Sequence, residues 1–244
     1  MDKKYLVVIP ARYESKRFPG KPLIDIDGYP MIIRTAQQVE KAVGKDKTII
    51  ATDDIKIKKV VSSYGYQVVM TSDKCLTGTD RVAESSREFN DIDFFINVQG
   101  DEPLIDPQNI KEVINYKNDN FSDVITGITK IYDEDDFFNP NIVKMVSGEN
   151  SNLLYASRSP IPITKDKKYV KAYKHLPLYA FSKPELDLFY RRGKKSKTYL
   201  EGIEDVEILR FLELGISVKT IPLYDESVSV DVPSDLDKVL KKLR

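Results

Sequence analysis

Apolar residues along this chain alternate between two patterns. Short unbroken runs of aliphatic and β-branched residues are separated by segments in which apolar positions recur at helical spacing. Tyr5–Pro10 is such a run, directly at the start, and predicts a buried strand. A polar stretch with Gly and Pro follows over 11–22, then a turn signal at Asp27-Gly28. Pro30 suits the first turn of a helix, and Ile32, Ile33, Ala36, Val39, Ala42 and Val43 continue it. The cycle repeats. Strands are predicted at Thr48–Ala51, Gln67–Met70, Phe94–Val98 and Val124–Ile128. Helices are predicted at Asp54–Tyr64 (stopped by Gly65), Asp80–Phe89 and Pro107–Tyr116. Fully apolar strands alternating with helices imply an α/β fold, a mainly parallel sheet with helices on both faces.

The pattern loosens after about Phe138. Strands are expected at Val143–Val146, Leu153–Ala156, His175–Phe181 and Ser217–Pro222, and a short one at Ser229-Val230. Residues 157–174 are rich in Pro and Lys and read as a loop or arm. Helices are expected at Lys183–Arg191, Asp205–Leu214 and Ser234–Leu243, the last with Ser234 as N-cap.

Composition narrows the function. The 244 residues are 41% hydrophobic and 31% charged, enough for a core with a well-solvated surface. Lys plus Arg equals Asp plus Glu, 38 each, so no global field favours nucleic acid or a membrane surface. A single cysteine, Cys75, excludes an internal disulfide and suits a reducing compartment. With no leader pattern and no long apolar run, the expectation is a cytoplasmic protein without membrane insertion.

Three segments carry candidate chemistry. Loop 9–23, IPARYESKRFPGKPL, follows the first strand, where open α/β sheets bind ligands. It places Arg12, Lys16, Arg17 and Lys21 close together with Ser15 and Gly20, a crowding of cations that suits a triphosphate. No Walker or dinucleotide glycine pattern occurs. In NVQGDEPLI (97–105), Gln99, Gly100, Asp101 and Glu102 emerge at a strand tip, and a carboxylate there suits Mg2+. Asp231, in VDVPSDL (230–236), is able to bring a second carboxylate to the same edge or simply to form a turn. Glu204, Glu207 and Arg210 are spaced to share one helix face, and the lone His175 sits in an apolar stretch.

With ATDD (51–54), TGTDRVAE (77–84), FNPNIVK (138–144), SRSPIP (157–162), HLPLY (175–179) and LEGIEDVEILR (200–210), these motifs in this order resemble the 3-deoxy-manno-octulosonate cytidylyltransferase, or CMP-Kdo synthetase, family over nearly the whole chain. The resemblance implies a single Rossmann-like nucleotidyltransferase domain over 1–244. It also implies a small sugar-binding and dimerisation subregion at about 150–190 and a homodimer built through that arm. It implies CTP and an acidic sugar as substrates, Mg2+ as cofactor, and CMP-Kdo and pyrophosphate as products, for lipopolysaccharide or capsule. By position it implies Arg12, Arg17 and Lys21 on the triphosphate. Arg12, Ser15, Thr77, Gly78, Arg81 and Gln99 fall on the nucleotide side. Asp101 and Asp231 fall on the metal, and Arg158, His175, Tyr179, Glu204 and Glu207 on the sugar. Arg17, Lys21, Asp101 and Asp231 form the catalytic set.

Three departures, Pro177 and Ala180 for glycines, Ile208 for a glutamine, and Glu-Ser-Val-Ser-Val before Asp231, all lie toward the sugar side. They leave open an amino-substituted Kdo, a sialic acid or a pseudaminic acid as acceptor. A catalytically silent nucleotide-binding protein is the alternative from another class. An oxidoreductase is a more distant one, lacking its glycine fingerprint.

Overall fold

The structure is a computed structural model that describes residues 3–14, 18–224 and 227–243. Its centre is β1 (Tyr5–Ala11), flanked in parallel by β4 (Thr48–Thr52) and β6 (Phe94–Val98); β5 (Gln67–Met70) extends the β4 side in parallel. These strands are buried on both faces, which is why they read as continuous apolar runs. Helix α1 (Met31–Val43), α2 (Ile55–Ser63), α3 (Gly78–Ser85) and α4 (Pro107–Asp119) connect them. Between β1 and α1 a two-stranded hairpin, β2 (Asp25–Ile26) and β3 (Tyr29–Pro30), turns at Asp27-Gly28, as the turn signal predicts. Asp54 caps α2 and Asp106 caps α4 through side-chain bonds to their first amides.

The other half departs from the all-parallel rhythm. β7 (Val124–Lys130) and β11 (Val218–Pro222) pair in parallel. β10 (Tyr173–Ser182) inserts antiparallel between β6 and β7, giving the order β11-β7-β10-β6-β1-β4-β5. β8 (Lys144–Ser147) pairs with the start of β10 and with β9 (Leu153–Ser157). A short α5 (Glu134–Phe138) precedes β8, and α6 (Lys183–Gly193) follows β10 behind a Ser182/Glu185 capping box. One apolar cluster packs α1, α2 and α4 on one face of the sheet; a second packs α3, α6 and the segment 206–212 on the other. The sheet is thus mixed and mainly parallel, as expected, with helices on both faces.

Two expected elements are corrected. The helix expected over Asp205–Leu214 is shortened to α8 (Leu209–Glu213); an unexpected α7 (Tyr199–Glu204) precedes it and ends at Asp205, whose φ of 51° is left-handed. Glu204, Glu207 and Arg210 therefore do not share one helix face. Ser229-Val230 is not a strand; it is extended chain whose Val230 N–H bonds the Asp101 carbonyl at 3.0 Å. Val230 is fully buried in a small third cluster with Ile26, Met31 and Val239, the last from α9 (Asp235–Leu243).

Candidate active site

Lys21 of the cationic loop and the carboxylates of Asp101 and Asp231 converge. Lys21 lies in a short 3-10 turn after Gly20, whose φ of 72° is the left-handed conformation glycine adopts freely. The Lys21 ammonium donates to Asp101 Oδ2 at 2.7 Å and to the Val230 carbonyl at 2.7 Å, and lies 3.6 Å from Asp231 Oδ1. Its three protons thus face three oxygens. Asp101 is placed by the sharp turn after β6. A side-chain carbon at Gly100 would meet the Pro10 carbonyl at 2.7 Å, so only glycine lets β6 and β1 exit side by side. Thr35 donates to the Gly100 carbonyl and fixes that turn to α1. Asp231 is placed by the burial of Val230 and by Asp235, whose carboxylate accepts from the Asp231 and Val232 amides. Among the described residues no group of three or more His, Cys, Asp or Glu side chains stands ready to hold a metal by itself.

An open cleft of about 240 Å3 runs from this centre toward β10. Asp101, Asp231 and Ser229 line one end; Gln99 and Glu207 form the middle; His175, Pro177 and Tyr179 line the far side. β10 reaches past the tip of β6 because it runs antiparallel. Tyr179 stands opposite Asn97, so residues before it overhang Gln99. The β7–β10 register slips between Leu176 and Tyr179, and Pro177, with no N–H to lose, occupies the bulge.

Glu207 gathers donors from three segments. Gln99 Nε2 donates to Oε1 at 3.1 Å and the Thr79 amide to Oε2 at 3.0 Å; the Thr79 and Tyr179 hydroxyls also bond it. A carboxylate only accepts, so the Gln99 amide must turn its NH2 toward Glu207 and its oxygen away. That oxygen lies over Gly78, where a side-chain carbon would sit 2.9 Å from it. Burial pushes the Glu207 pKa up, against the Thr79 hydrogen bonds that pull it down. Burial, reinforced by the charge of Glu207, raises Tyr179 well above its ordinary value. Burial lowers His175 from 6.5 to about 4, so its ring is neutral at neutral pH; Nε2 pairs with the Thr126 hydroxyl at 3.2 Å. His175 and Tyr179 rings pack 5.4 Å apart.

The remaining expected residues support the site from behind or beside it. Thr77 caps α3, accepting from the Asp80 amide and donating to the Asp80 carboxylate. Arg81 turns away from the cleft: its guanidinium pairs with Asp53 at 3.0 Å and with the Thr71 hydroxyl, bracing the exits of β4 and β5. Arg158 and Glu204 form a clasp. The Glu204 carboxylate accepts from Ser157, Tyr155 and the Arg158 amide, and the Arg158 guanidinium bonds carbonyls of Glu204, Pro140 and Asp205. Neither lines the cleft, whereas Asp205 and Val206, directly after Glu204, do. Arg12 is exposed at the end of β1. Ser15 and Arg17 lie outside the described residues. Of the departures, Pro177 and Ser229, the latter from the segment before Asp231, line the cleft, whereas Ile208 and Ala180 are fully buried.

Sequence reasoning named Arg210 for a helix face but missed Asp80, Glu201 and their pairing with it. Arg210, fully buried, forks onto both Asp80 oxygens at 2.5 and 3.1 Å and onto Glu201 at 2.6 and 2.7 Å. Gly193 makes room for it, since a side-chain carbon there would sit 2.1 Å from Nη1. The only available signal was a charged residue inside each of two motifs, which does not say that they meet. Lys144 similarly donates to three carbonyls, those of Asn139, Ile142 and Arg158, at the root of the arm.

Comparison with known proteins agrees with this geometry. Residues 6–221 match the family model described as cytidylyltransferase. The 3-deoxy-manno-octulosonate cytidylyltransferase of Geotalea uraniireducens is 41% identical over 99% of each chain. The 8-amino-3,8-dideoxy-manno-octulosonate cytidylyltransferase of Shewanella frigidimarina is 41% identical over 96% of each. A solved CMP:2-keto-3-deoxy-manno-octonic acid synthetase complexed with CTP superimposes with a TM-score of 0.89 at 32% identity, covering 99% of this chain and 98% of its own. Full-length similarity, a shared fold and a cleft at the expected strand tips together place the chain in the 3-deoxy-manno-octulosonate cytidylyltransferase family.

Proposed function

We propose that this protein is a Mg2+-dependent cytidylyltransferase that converts CTP and 3-deoxy-D-manno-octulosonate into CMP-Kdo and pyrophosphate. The observation that carries the reading is the convergence of Asp101 and Asp231 on one cation, the Lys21 ammonium, at the mouth of a sugar-sized cleft. An all-oxygen set of two carboxylates and a carbonyl around a positive charge fits Mg2+, which commonly takes one or two carboxylates and completes its shell with substrate phosphates. Asp101 and Asp231 would hold it. Bound there, Mg2+ supplies charge stabilisation on phosphate oxygens and lowers the pKa of the attacking hydroxyl.

The reaction is an in-line displacement: the sugar's anomeric oxygen bonds the α-phosphorus as the bond to pyrophosphate breaks. Arg12, Arg17 and Lys21 bind the triphosphate. Thr77, Gly78 and Gln99 face the nucleotide. Tyr179 and neutral His175 line the acceptor end, where their fixed partners Glu207 and Thr126 keep them oriented. Arg81 secures the nucleotide loop through Asp53, and Arg158 and Glu204 secure the acceptor end through the arm root. Positioning and electrostatics supply the rate, with no covalent enzyme intermediate. The enzyme works in the cytoplasm; in the structure, no described helix is long and apolar enough to cross a membrane. A second copy covers the arm, where Leu154, Ile163 and Tyr132 are exposed.

The test is pyrophosphate release with CTP and Mg2+ across a panel of 2-keto sugar acids that includes 8-amino-Kdo and sialic acid. Turnover greatest with Kdo is expected. Preference for the 8-amino sugar would move the chain to the chemistry named for its Shewanella relative, and no release with any acid would defeat the reading.

A further inference from the structure

Lys21 does more than await a phosphate. Its ammonium is seated where the two aspartates converge, hydrogen-bonded to Asp101 at 2.7 Å and to the Val230 carbonyl at 2.7 Å and ion-paired with Asp231 at 3.6 Å. The side chain is only 13% exposed there, while the carboxylates it joins are 28% and 46% exposed. A Mg2+ ion needs the same oxygens at about 2.0–2.1 Å. An ammonium 2.7 Å from Asp101 Oδ2 and a divalent ion on that same oxygen would repel at contact distance. Both cannot occupy the position. The ammonium is the group free to leave, because it is a point charge on a flexible four-carbon stem. Its backbone is held in the Gly20 turn and need not move.

We propose that Lys21 is a resident stand-in for the divalent cation. It holds Asp101 and Asp231 together in the free enzyme, is exchanged out of their grip when metal and nucleotide arrive together, and then faces the phosphates. This rests on the Mg2+ reading above and adds a linkage to it. Metal alone must evict an ammonium that then has no partner. Metal with CTP evicts it onto a triphosphate. The two ligands therefore bind cooperatively, and Lys21 adds to the coupling that shared phosphate ligands already give. The exchange also keeps two facing carboxylates from repelling each other before substrate binds.

The experiment is Mn2+ binding followed by electron paramagnetic resonance, with Mg2+-dependent thermal melting as a second readout. It uses the full chain and Lys21→Met, with Lys21→Gln as a second variant should the first fold poorly. In wild type, Mn2+ without nucleotide binds weakly and Mg2+ leaves the melting temperature nearly unchanged; CTP recruits the metal. In the variants, Mn2+ without nucleotide binds about tenfold tighter or more. Mg2+ raises their melting temperature, and CTP increases metal affinity by a smaller factor than in wild type, the phosphate oxygens alone still adding ligands. Adding Asp101→Asn to either variant removes the gain. Equal nucleotide-free affinity in wild type and variants, or a gain that survives Asp101→Asn, would overturn the stand-in role. If CTP fails to recruit Mn2+ to wild type any better than to Asp101→Asn, the metal assignment itself is what fails.

Discussion

Lys21 and Arg210 each sit between two carboxylates, and in almost every other respect they differ. Arg210, Asp80 and Glu201 are 0%, 5% and 0% exposed, and four charge-assisted hydrogen bonds hold the guanidinium in a forked geometry. Lys21, Asp101 and Asp231 are 13%, 28% and 46% exposed, and the cation is held by one close carboxylate, one carbonyl and one looser carboxylate. The dry arrangement is fixed, since a planar fork desolvated between two acids has nowhere to go. It anchors Asp80, and through Asp80 the Thr77 cap at the start of α3. The wet arrangement is exchangeable. Solvent screens it, and a point charge on a flexible stem is replaceable by another cation. The same three charges thus make a scaffold in one place and an exchangeable cation site in the other, and burial and cation geometry decide which.

Four changes sharpen or break that contrast. Asp101→Asn removes a charge from the wet centre. It should fold and bind CTP yet lose about a thousandfold or more in turnover, roughly 4 kcal/mol of transition-state stabilisation; steady-state kinetics with CTP binding by calorimetry reads this. Arg210→Met strands two buried carboxylates and should cost about 3–5 kcal/mol in denaturant unfolding. If it cost little, the dry centre would not be the scaffold described.

Glu207→Gln keeps the shape of the hub but sets an NH2 group against donors from Gln99, Thr79 and Tyr179. A lost or clashing hydrogen bond there is worth about 1–3 kcal/mol, so kcat/KM should fall roughly tenfold to a hundredfold and the melting temperature should fall by several degrees. The smallest effect is a pH dependence. His175 titrates near 4 in the fold and near 6.5 unfolded, so the unfolded chain binds the extra proton first. Stability should therefore decline as pH falls from about 6.5 toward 4, and His175→Asn should flatten that decline in melting curves.

Local pattern revealed much of the parallel half in advance. β5 and β6 begin and end where their apolar runs do, and the predicted turn at Asp27-Gly28 forms, within a hairpin the pattern did not show. The acceptor half was less legible because its geometry answers distant partners. Residues 200–214 have helix-forming composition, yet the chain breaks at Asp205 so that Glu207 reaches Gln99 while Arg210 reaches Asp80. No glycine or proline marks that break. β10 reads as an ordinary strand, and nothing local says that it runs antiparallel between β6 and β7 or that Pro177 sits in its bulge. Asp101 and Asp231 were found as strand-tip acids, whereas Asp80 was quoted within a motif without a role, because a buried partnership across 130 positions leaves no mark on either neighbourhood.

The most direct test is anomalous diffraction from crystals grown with CTP and Mn2+. The account predicts a Mn2+ peak bound by both Asp101 and Asp231, with the Lys21 ammonium withdrawn from Asp101 and turned to the phosphates. A peak away from either aspartate, or Lys21 still seated between them with the metal bound, would contradict it.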